Sequence, residues 1–146
     1  MSRYILIIMV IFSVLMSLSC SSSKEKEKAA IEQLIKNNAE FFQKEDLESY
    51  IGTLDPTSPE IENTRAMMVE LFENYDLKLT IESTRILKMS DNKADVEIVQ
   101  TTSKVSGGEF RDNRINIVHQ LKKIDGAWKI TSSKTIKIDY FDQPQE

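Results

Sequence analysis

The sequence predicts an α+β fold in which two or three N-terminal helices pack on one face of a curved, four-stranded antiparallel meander. Apolar residues recur at helical spacing in the first half of the chain, and from Leu77 onward the period changes to two. Short turn sequences separate the alternating runs, and such loops join neighbouring strands in antiparallel pairs. At 146 residues with 4 Gly, 3 Pro and 1 Cys, the chain can form one compact domain.

Three amphipathic stretches make up the predicted helical half. The first runs over residues 31–42 and the second over residues 47–54. The third follows a turn bracketed by Pro56 and Pro59, where Ser58 is the predicted N-cap. Its predicted core residues are Ile61, Met67, Met68, Leu71, Phe72 and Tyr75.

Four alternating runs are the predicted strands, at residues 77–89, 93–105, 110–124 and 127–141. The last begins in Asp125-Gly126-Ala127-Trp128-Lys129-Ile130. Helices followed by hairpin-linked strands with this closing sequence resemble the NTF2-like (SnoaL-like, cystatin-type α+β cone) superfamily. The likeness covers most of residues 28–141. That superfamily includes isomerases, dehydratases, transport factors and binding domains, so the resemblance implies the fold and no single function.

The N-terminus has the composition of an export signal. Arg3 precedes an apolar run at residues 4–18, and a serine run follows at residues 21–23. The apolar run has about 15 residues, whereas a helix that spans a bilayer needs ~20.

The end of this run, Leu18-Ser19-Cys20, resembles the lipobox of bacterial lipoprotein signal peptides. The lipobox usually has Leu three residues before the Cys, where this chain has Ser17. The resemblance implies cleavage before Cys20 and acylation of that residue, which would anchor the protein by lipid in the cell membrane or outer membrane, with the domain on the extracytoplasmic side. Two other interpretations stay open: a single membrane-spanning anchor, and an ordinary secretory leader in which Cys20 has no role.

The lipoprotein interpretation divides the chain into four parts. Residues 1–19 are the signal peptide, and residues 20–27 are the acylated cysteine and a polar tether. Residues 28–141 are the NTF2-like domain, and residues 142–146 are a tail.

Charge and composition exclude several partners. Lys and Arg number 19 and Asp and Glu 23, for a formal net charge of −4, whereas nucleic-acid binding needs a basic footprint. We therefore expect no nucleic-acid partner. With one His, one Cys and no glycine-rich phosphate loop, we also expect no metal site and no cofactor.

The candidate site follows from strand parity. Successive side chains of a strand point to opposite faces, so the parity that carries the apolar residues faces the helices. The opposite parity is nearly all polar, which favours a monomer. The polar residues of the inner parity are Ser83, Arg85, Gln100, Thr102, Asn113, His119, Ser132 and Lys134.

From this set we predict a cone-shaped pocket for a small ligand, anionic if Arg85, His119 and Lys134 face it. The candidate ligand-binding residues are Arg85, Gln100, Asn113, His119, Ser132, Lys134 and a helical tyrosine, Tyr50 or Tyr75. Alternatively, Arg85 and Lys134 extend into water, or bulges after Ser83 and Ser132 reverse the parity.

We therefore expect a membrane-anchored, non-catalytic lipoprotein that binds a small ligand or a partner protein in the cell envelope. The alternatives are a small-molecule isomerase or dehydratase and a purely structural role in the cell envelope. By parity no strand directs Asp or Glu inward, so His119 is the candidate base of such an enzyme. An open cone with His119 at its base would favour catalysis, and a filled cone would favour interaction through the outer surface.

Overall fold

The computed structural model describes the backbone of residues 2–141 and the side chains of residues 23–141. Three helices precede one four-stranded antiparallel sheet with the order β1-β2-β3-β4, as predicted. The predicted signal peptide and Cys20 lie outside the described side chains, and the predicted tail lies outside the described residues. The elements are α1 (Ser2–Gln43), α2 (Leu47–Gly52), α3 (Ile61–Asn74), β1 (Tyr75–Met89), β2 (Lys93–Gly107), β3 (Asn113–Ile124) and β4 (Ala127–Tyr140).

The chain divides into two units after Glu32. In the first unit, Lys28 Nζ lies 2.8 Å from Glu25 Oε1 in an exposed ion pair. The second unit begins at Gln33 and contains the rest of α1, the two short helices and the sheet. Within residues 23–141, no helix is both long and apolar enough to cross a membrane.

Both short helices have starts that their sequences explain. The Asp46 carboxylate accepts a hydrogen bond from the Ser49 backbone N–H at 3.1 Å, and Asp46 is the N-cap of α2. Ser58, the predicted N-cap of α3, instead closes a turn in which its hydroxyl accepts from the Glu60 N–H at 3.3 Å. The helix therefore begins at Ile61, two residues later than predicted.

One predicted core residue of α3 is wrong. Met68 is 3% exposed, but Met67 is 59% exposed. Neighbouring residues of a helix lie about 100° apart around its axis, so both cannot face the core. Met67 borders the cavity described below.

The hairpin turns use the backbone freedom of glycine. Asp125 and Gly126 have φ values of 49° and 81°, as a two-residue hairpin turn of type I′ requires. Gly107 has φ of 111°, and a Cβ there would lie 2.3 Å from the Asn74 carbonyl oxygen. The end of β2 therefore approaches the end of α3 more closely than any side chain would permit.

The core of the second unit lies between its helices and the inner face of the sheet. The predicted parity of β2 and β3 is confirmed, because Val96 pairs with His119 and Ile98 with Ile117 across the two strands. The Leu54 backbone bridges Ile130 in parallel at the edge strand β4. Buried apolar residues here are Ile35, Ile51, Met68, Leu77, Ala94, Val96, Ile98, Leu121, Trp128 and Ile130.

A bulge in β1 overturns the predicted direction of Arg85. Ile81 pairs with Gln100, but Ser83 pairs with Val99, so Glu82 is an extra residue. The parity reverses beyond it, and Arg85 lies opposite Glu97 on the outer face.

A second bulge, in β4, overturns the direction of Lys134. Ile130 pairs with Leu121 and Ser132 with Gln120, which makes Thr131 the extra residue. Beyond it Lys134 lies opposite Val118 on the outer face.

Ion pairs cover part of that outer face. Arg114 Nη2 lies 2.8 Å from Glu82 Oε2, and Lys137 Nζ lies 2.8 Å from Asp139 Oδ1. The outer face is polar here, as the sequence predicts, and a monomeric state stays a prediction.

Candidate functional site

A cavity of about 640 Å³ opens between the helices of the second unit and the inner face of the sheet. The cone is therefore open and not filled by side chains. Its apolar lining comprises Phe42, Leu54, Ile61, Met67, Leu71, Leu77, Leu79, Phe110, Ile115, Ile117 and Ile130. Its polar lining comprises Asn38, Tyr50, Ser58, Glu60, Thr64, Gln100, Thr102, Asn113, His119, Thr131, Ser132 and Ser133.

The apolar wall runs along the middle of β3. Ile115 and Ile117 separate Asn113 from His119 on the inner face of this strand. Alternate residues of a strand lie about 7 Å apart, so the polar residues of β3 are held at opposite ends of an apolar stretch. Opposite this wall, the Phe42 ring packs edge-on against Phe72, with 5.7 Å between centroids.

His119 and Ser133 form the hydrogen-bonded pair of the site. His119 Nδ1 lies 2.7 Å from Ser133 Oγ, and the two residues face each other across β3 and β4. Within residues 23–141, no group pairs with the other ring nitrogen, Nε2. Burial lowers the pKa of the imidazole from 6.5 to about 4, because the charged ring would lose its hydration. At neutral pH the cavity therefore contains an uncharged imidazole.

The bulge in β4 gives each neighbouring hydroxyl a partner on β3. Ser132 Oγ donates to Gln120 Oε1 at 2.8 Å, and Thr131 Oγ1 donates to the Gln120 carbonyl oxygen at 3.0 Å. Ser132 lines the cavity, but its hydroxyl proton is directed to the outer-face residue Gln120. Ser133, and not the predicted inner residue Ser132, lies opposite His119.

A second polar cluster connects α1 to α2. Asn38 Nδ2 donates to Thr53 Oγ1 at 2.7 Å, and Thr53 Oγ1 donates to the Tyr50 carbonyl oxygen at 2.6 Å. Burial raises the pKa of the Tyr50 hydroxyl, and a hydrogen bond with Asn38 acts in the opposite direction. Tyr50 is therefore a neutral hydroxyl in the cavity wall. Tyr75, the other candidate tyrosine, packs against Phe110 with 6.0 Å between centroids and is not a lining residue.

Gln100 and Asn113 are two further polar lining residues, and they differ in whether their side chains are free to bind a ligand. Asn113 is 8% exposed, and its Nδ2 donates to the Arg111 carbonyl oxygen at 2.9 Å. Its Oδ1 is enclosed, and no described group pairs with it. The Gln100 amide, which faces Ile115 across the sheet, also has no hydrogen-bond partner in residues 23–141, but it is not enclosed.

The charge of the lining differs from the sequence prediction. Among the described lining residues, Glu60 is the one acidic side chain, and none is Lys or Arg. Arg85 is bound on the outer face, where its Nε and Nη2 lie 3.0 and 2.6 Å from Glu97 Oε2. These hydrogen bonds lower the pKa of the Glu97 carboxyl.

Of the predicted ligand-binding residues, the structure brings five to the cavity: Tyr50, Gln100, Asn113, His119 and Ser132. It does not bring Arg85 or Lys134 there, so the predicted basic character of the pocket is wrong. Ser133 was missed, although the polar triplet at residues 131–133 interrupts the apolar alternation of β4 and is a signal for a bulge. Within the described residues, no cluster of His, Cys, Asp or Glu could hold a metal ion.

Solved structures of other proteins share this fold. A protein with a cystatin-like fold from Nostoc punctiforme matches with a TM-score of 0.63 and 17% identity, over 77% of this chain and 90% of that one. An NTF-2-like protein from Shewanella oneidensis matches at 0.61 and 19%, over 75% and 98%. A ketosteroid isomerase-like protein from Erwinia carotovora atroseptica matches at 0.56 and 18%, over 75% and 95%. At such identities the likeness shows the fold alone, and it confirms the NTF2-like resemblance.

Sequence comparison is more specific. Anti-sigma-I factor RsgI9 of Acetivibrio thermocellus is 36% identical over 96 residues, which are 66% of this chain and 13% of that protein. The chain thus spans about an eighth of this relative's length. Residues 33–141 match the family model described as the C-terminal domain of anti-sigma-I factor RsgI9. This range contains every strand and every lining residue of the cavity, and the chain belongs to the RsgI9 C-terminal domain family.

Proposed function

We propose that this chain is a membrane-anchored, non-catalytic lipoprotein whose NTF2-like domain binds a small ligand in the cell envelope and has a regulatory role. The open cavity of about 640 Å³ is the observation that carries the proposal. Binding sites of small molecules are concave, mostly apolar and furnished with a few polar groups. The cavity is concave and combines an apolar stretch along β3 with polar side chains, and its size is that of a ligand pocket.

Family membership supports the regulatory part. The relative is named as an anti-sigma factor, and the matched region is the C-terminal domain of such proteins. A binding domain suits a regulator, because ligand occupancy can shift the balance between two states of a protein. A partner protein in the envelope is then the second participant that such a role requires.

The polar groups of the cavity favour binding over catalysis. The Glu60 carboxylate accepts from Asn63 Nδ2 at 3.1 Å, and no other described lining residue carries a carboxyl group. The His119 ring forms its described hydrogen bond with the Ser133 hydroxyl. A general base usually needs an orienting partner that stabilises its protonated form, and a serine hydroxyl does this weakly.

The open cone with His119 in its wall and the uncharged imidazole favour a second candidate, an isomerase or dehydratase that uses His119 as base. Its Nε2 has no described partner, so it can approach a bound molecule. This observation justifies a direct test of turnover.

The test is a screen of small molecules against the purified full chain, with binding followed by thermal unfolding and conversion by mass spectrometry. We expect some compounds to raise the midpoint of unfolding and to be recovered unchanged. The matched variants are His119→Gln, which alters the cavity, and Thr101→Val on the outer face. Conversion that His119→Gln abolishes and Thr101→Val preserves would show an enzyme. A screen in which no compound binds would contradict a ligand pocket.

A further inference from the structure

We infer that the cavity selects an uncharged ligand with an apolar body and hydrogen-bonding groups that meet Gln100 and His119, and that it rejects anions. This inference rests on the proposed function and narrows the class of ligand. Three features of the lining support it: the absence of a described cation, the position of two free polar side chains, and the apolar stretch between them.

The first feature is the charge of the wall. The two cations that the sequence places on the inner parity, Arg85 and Lys134, lie beyond bulges that turn them to the outer face. No Lys or Arg occurs among the described lining residues, and Glu60 contributes a negative charge. An ion that loses water without gaining a partner is strongly disfavoured. An anionic group would therefore meet apolar side chains, neutral polar groups and one carboxylate.

The second feature is a pair of polar side chains on β2 and β3 that are free to bind. Most polar groups in the wall have protein partners, as Asn38 bonds Thr53 and Ser132 bonds Gln120, although no partner is described for the hydroxyls of Thr64 and Thr102. Asn113 Oδ1 has no described partner, but protein atoms enclose it. The Gln100 amide and His119 Nε2 have no partner in residues 23–141 and are not enclosed. Polar groups in such a wall are more stable with a hydrogen bond. We therefore expect the ligand to form hydrogen bonds with the Gln100 amide and His119 Nε2.

The third feature is the spacing. Gln100 faces Ile115, and His119 lies four residues further along β3, beyond Ile117. Four residues of a strand span about 13 Å. A ligand whose apolar body packs on Ile115 and Ile117 can therefore form a hydrogen bond at each of its ends.

Two matched pairs of probes, each with a polar group at both ends, test the inference: naphthalene-2,6-diol against naphthalene-2,6-disulfonate, and biphenyl-4,4′-diol against biphenyl-4,4′-disulfonate. Each pair shares one apolar ring system and differs in charge. Binding is measured at pH 7 by equilibrium dialysis on the full chain in lipid nanodiscs, with protein-free nanodiscs as background. We expect each phenol to bind at least about tenfold more tightly than its sulfonate, a difference of about 1.4 kcal/mol.

Variants test whether the cavity lining causes the difference between phenol and sulfonate binding. Gln100→Leu and His119→Leu should each weaken the phenols by about three- to tenfold, and Gln100→Lys should strengthen the sulfonates. Arg85→Gln and Thr101→Val, both on the outer face, should leave all four probes unchanged.

The outcomes separate the inference from the proposed function. Equal binding of phenol and sulfonate, or tighter binding of the sulfonate, would overturn the inference while the pocket stands. Phenol binding that neither Leu variant weakens would overturn the roles of Gln100 and His119. Binding of none of the four probes would overturn the ligand pocket, and the inference with it.

Discussion

His119 occupies an environment that keeps its ring neutral over most of the physiological range. It lines the cavity, and its described hydrogen-bond partner is the Ser133 hydroxyl at 2.7 Å. Neither feature stabilises a positive charge, and burial lowers the pKa of the ring from 6.5 to about 4. The same burial that suits the cavity to an uncharged ligand therefore makes the folded domain sensitive to acid.

The pH dependence of stability has a definite sign. Between pH 6.5 and pH 4 the unfolded chain binds a proton at His119 that the folded protein does not, so the free energy of unfolding falls as the pH falls. In His119→Gln this part of the pH dependence should be lost. Urea unfolding at pH 7 and pH 4.5 should show a loss larger in the parent by on the order of 2 kcal/mol.

The comparison of the stability losses of the parent and of His119→Gln contains its own control. The hydrogen bonds that lower the pKa values of Asp46, Asp55 and Glu97 persist in both proteins, and their titration cancels. Equal losses of stability in the parent and in His119→Gln would contradict a buried, neutral imidazole.

At the scale of the elements, bulges in the two edge strands decide which side chains reach the cavity. The bulge at Glu82 turns Arg85 outward, and the bulge at Thr131 turns Lys134 outward and Ser133 inward. An added residue shifts the side chains that follow it to the opposite face until the next irregularity, which lies between Ile86 and Lys88 in β1 and between Thr135 and Lys137 in β4. The central strands β2 and β3 pair without such a shift along their length, so their inner residues follow simple alternation.

The junction of α3, β1 and β2 depends on a residue without a side chain. Gly107→Ala would place a methyl group 2.3 Å from the Asn74 carbonyl oxygen at a φ of 111°. We expect a loss of about 2 to 4 kcal/mol in the free energy of unfolding, since the backbone must move. Chemical denaturation measures it.

Gly52→Ala is the matched control, because nothing lies within 4 Å of a Cβ at that position. It should be neutral or stabilise by up to about 1 kcal/mol. Equal effects of the two substitutions would show that the close approach at Gly107 has no energetic weight.

At the scale of the whole molecule, we propose an N-terminal lipid that holds the binding domain at a membrane. Cys20→Ser should abolish acylation and leave the protein unprocessed or soluble. Ser22→Ala is the control, because it changes a neighbouring residue and leaves the thiol. Membrane fractionation with intact mass spectrometry checks both: the parent mass should begin at Cys20 and include acyl chains. Normal processing and membrane retention of Cys20→Ser would contradict the lipoprotein proposal.

Hydrophobic periodicity and turn sequences determined much of this protein from the sequence alone. They predicted the order of helices and strands, the antiparallel meander and the inner residues Gln100, Asn113 and His119. These features depend on local backbone preference and on alternation, which neighbouring residues carry. Predictions from alternation hold along a strand only as far as the strand keeps its register.

Only the tertiary structure decided the composition of the site. Arg85 and Lys134 have the parity of cavity residues in the sequence, which left bulges near Ser83 and Ser132 as an alternative, and the pairing with the next strand decides that each residue lies beyond a bulge. The position of Ser133 beside His119 depends on the same pairing. That the cone is open also depends on how α3 lies over the sheet, since Met67 and Met68 are equally apolar and only packing determines which is buried. The periodicity of one strand does not show how that strand pairs with its neighbour. This pairing decides which polar side chains face the cavity.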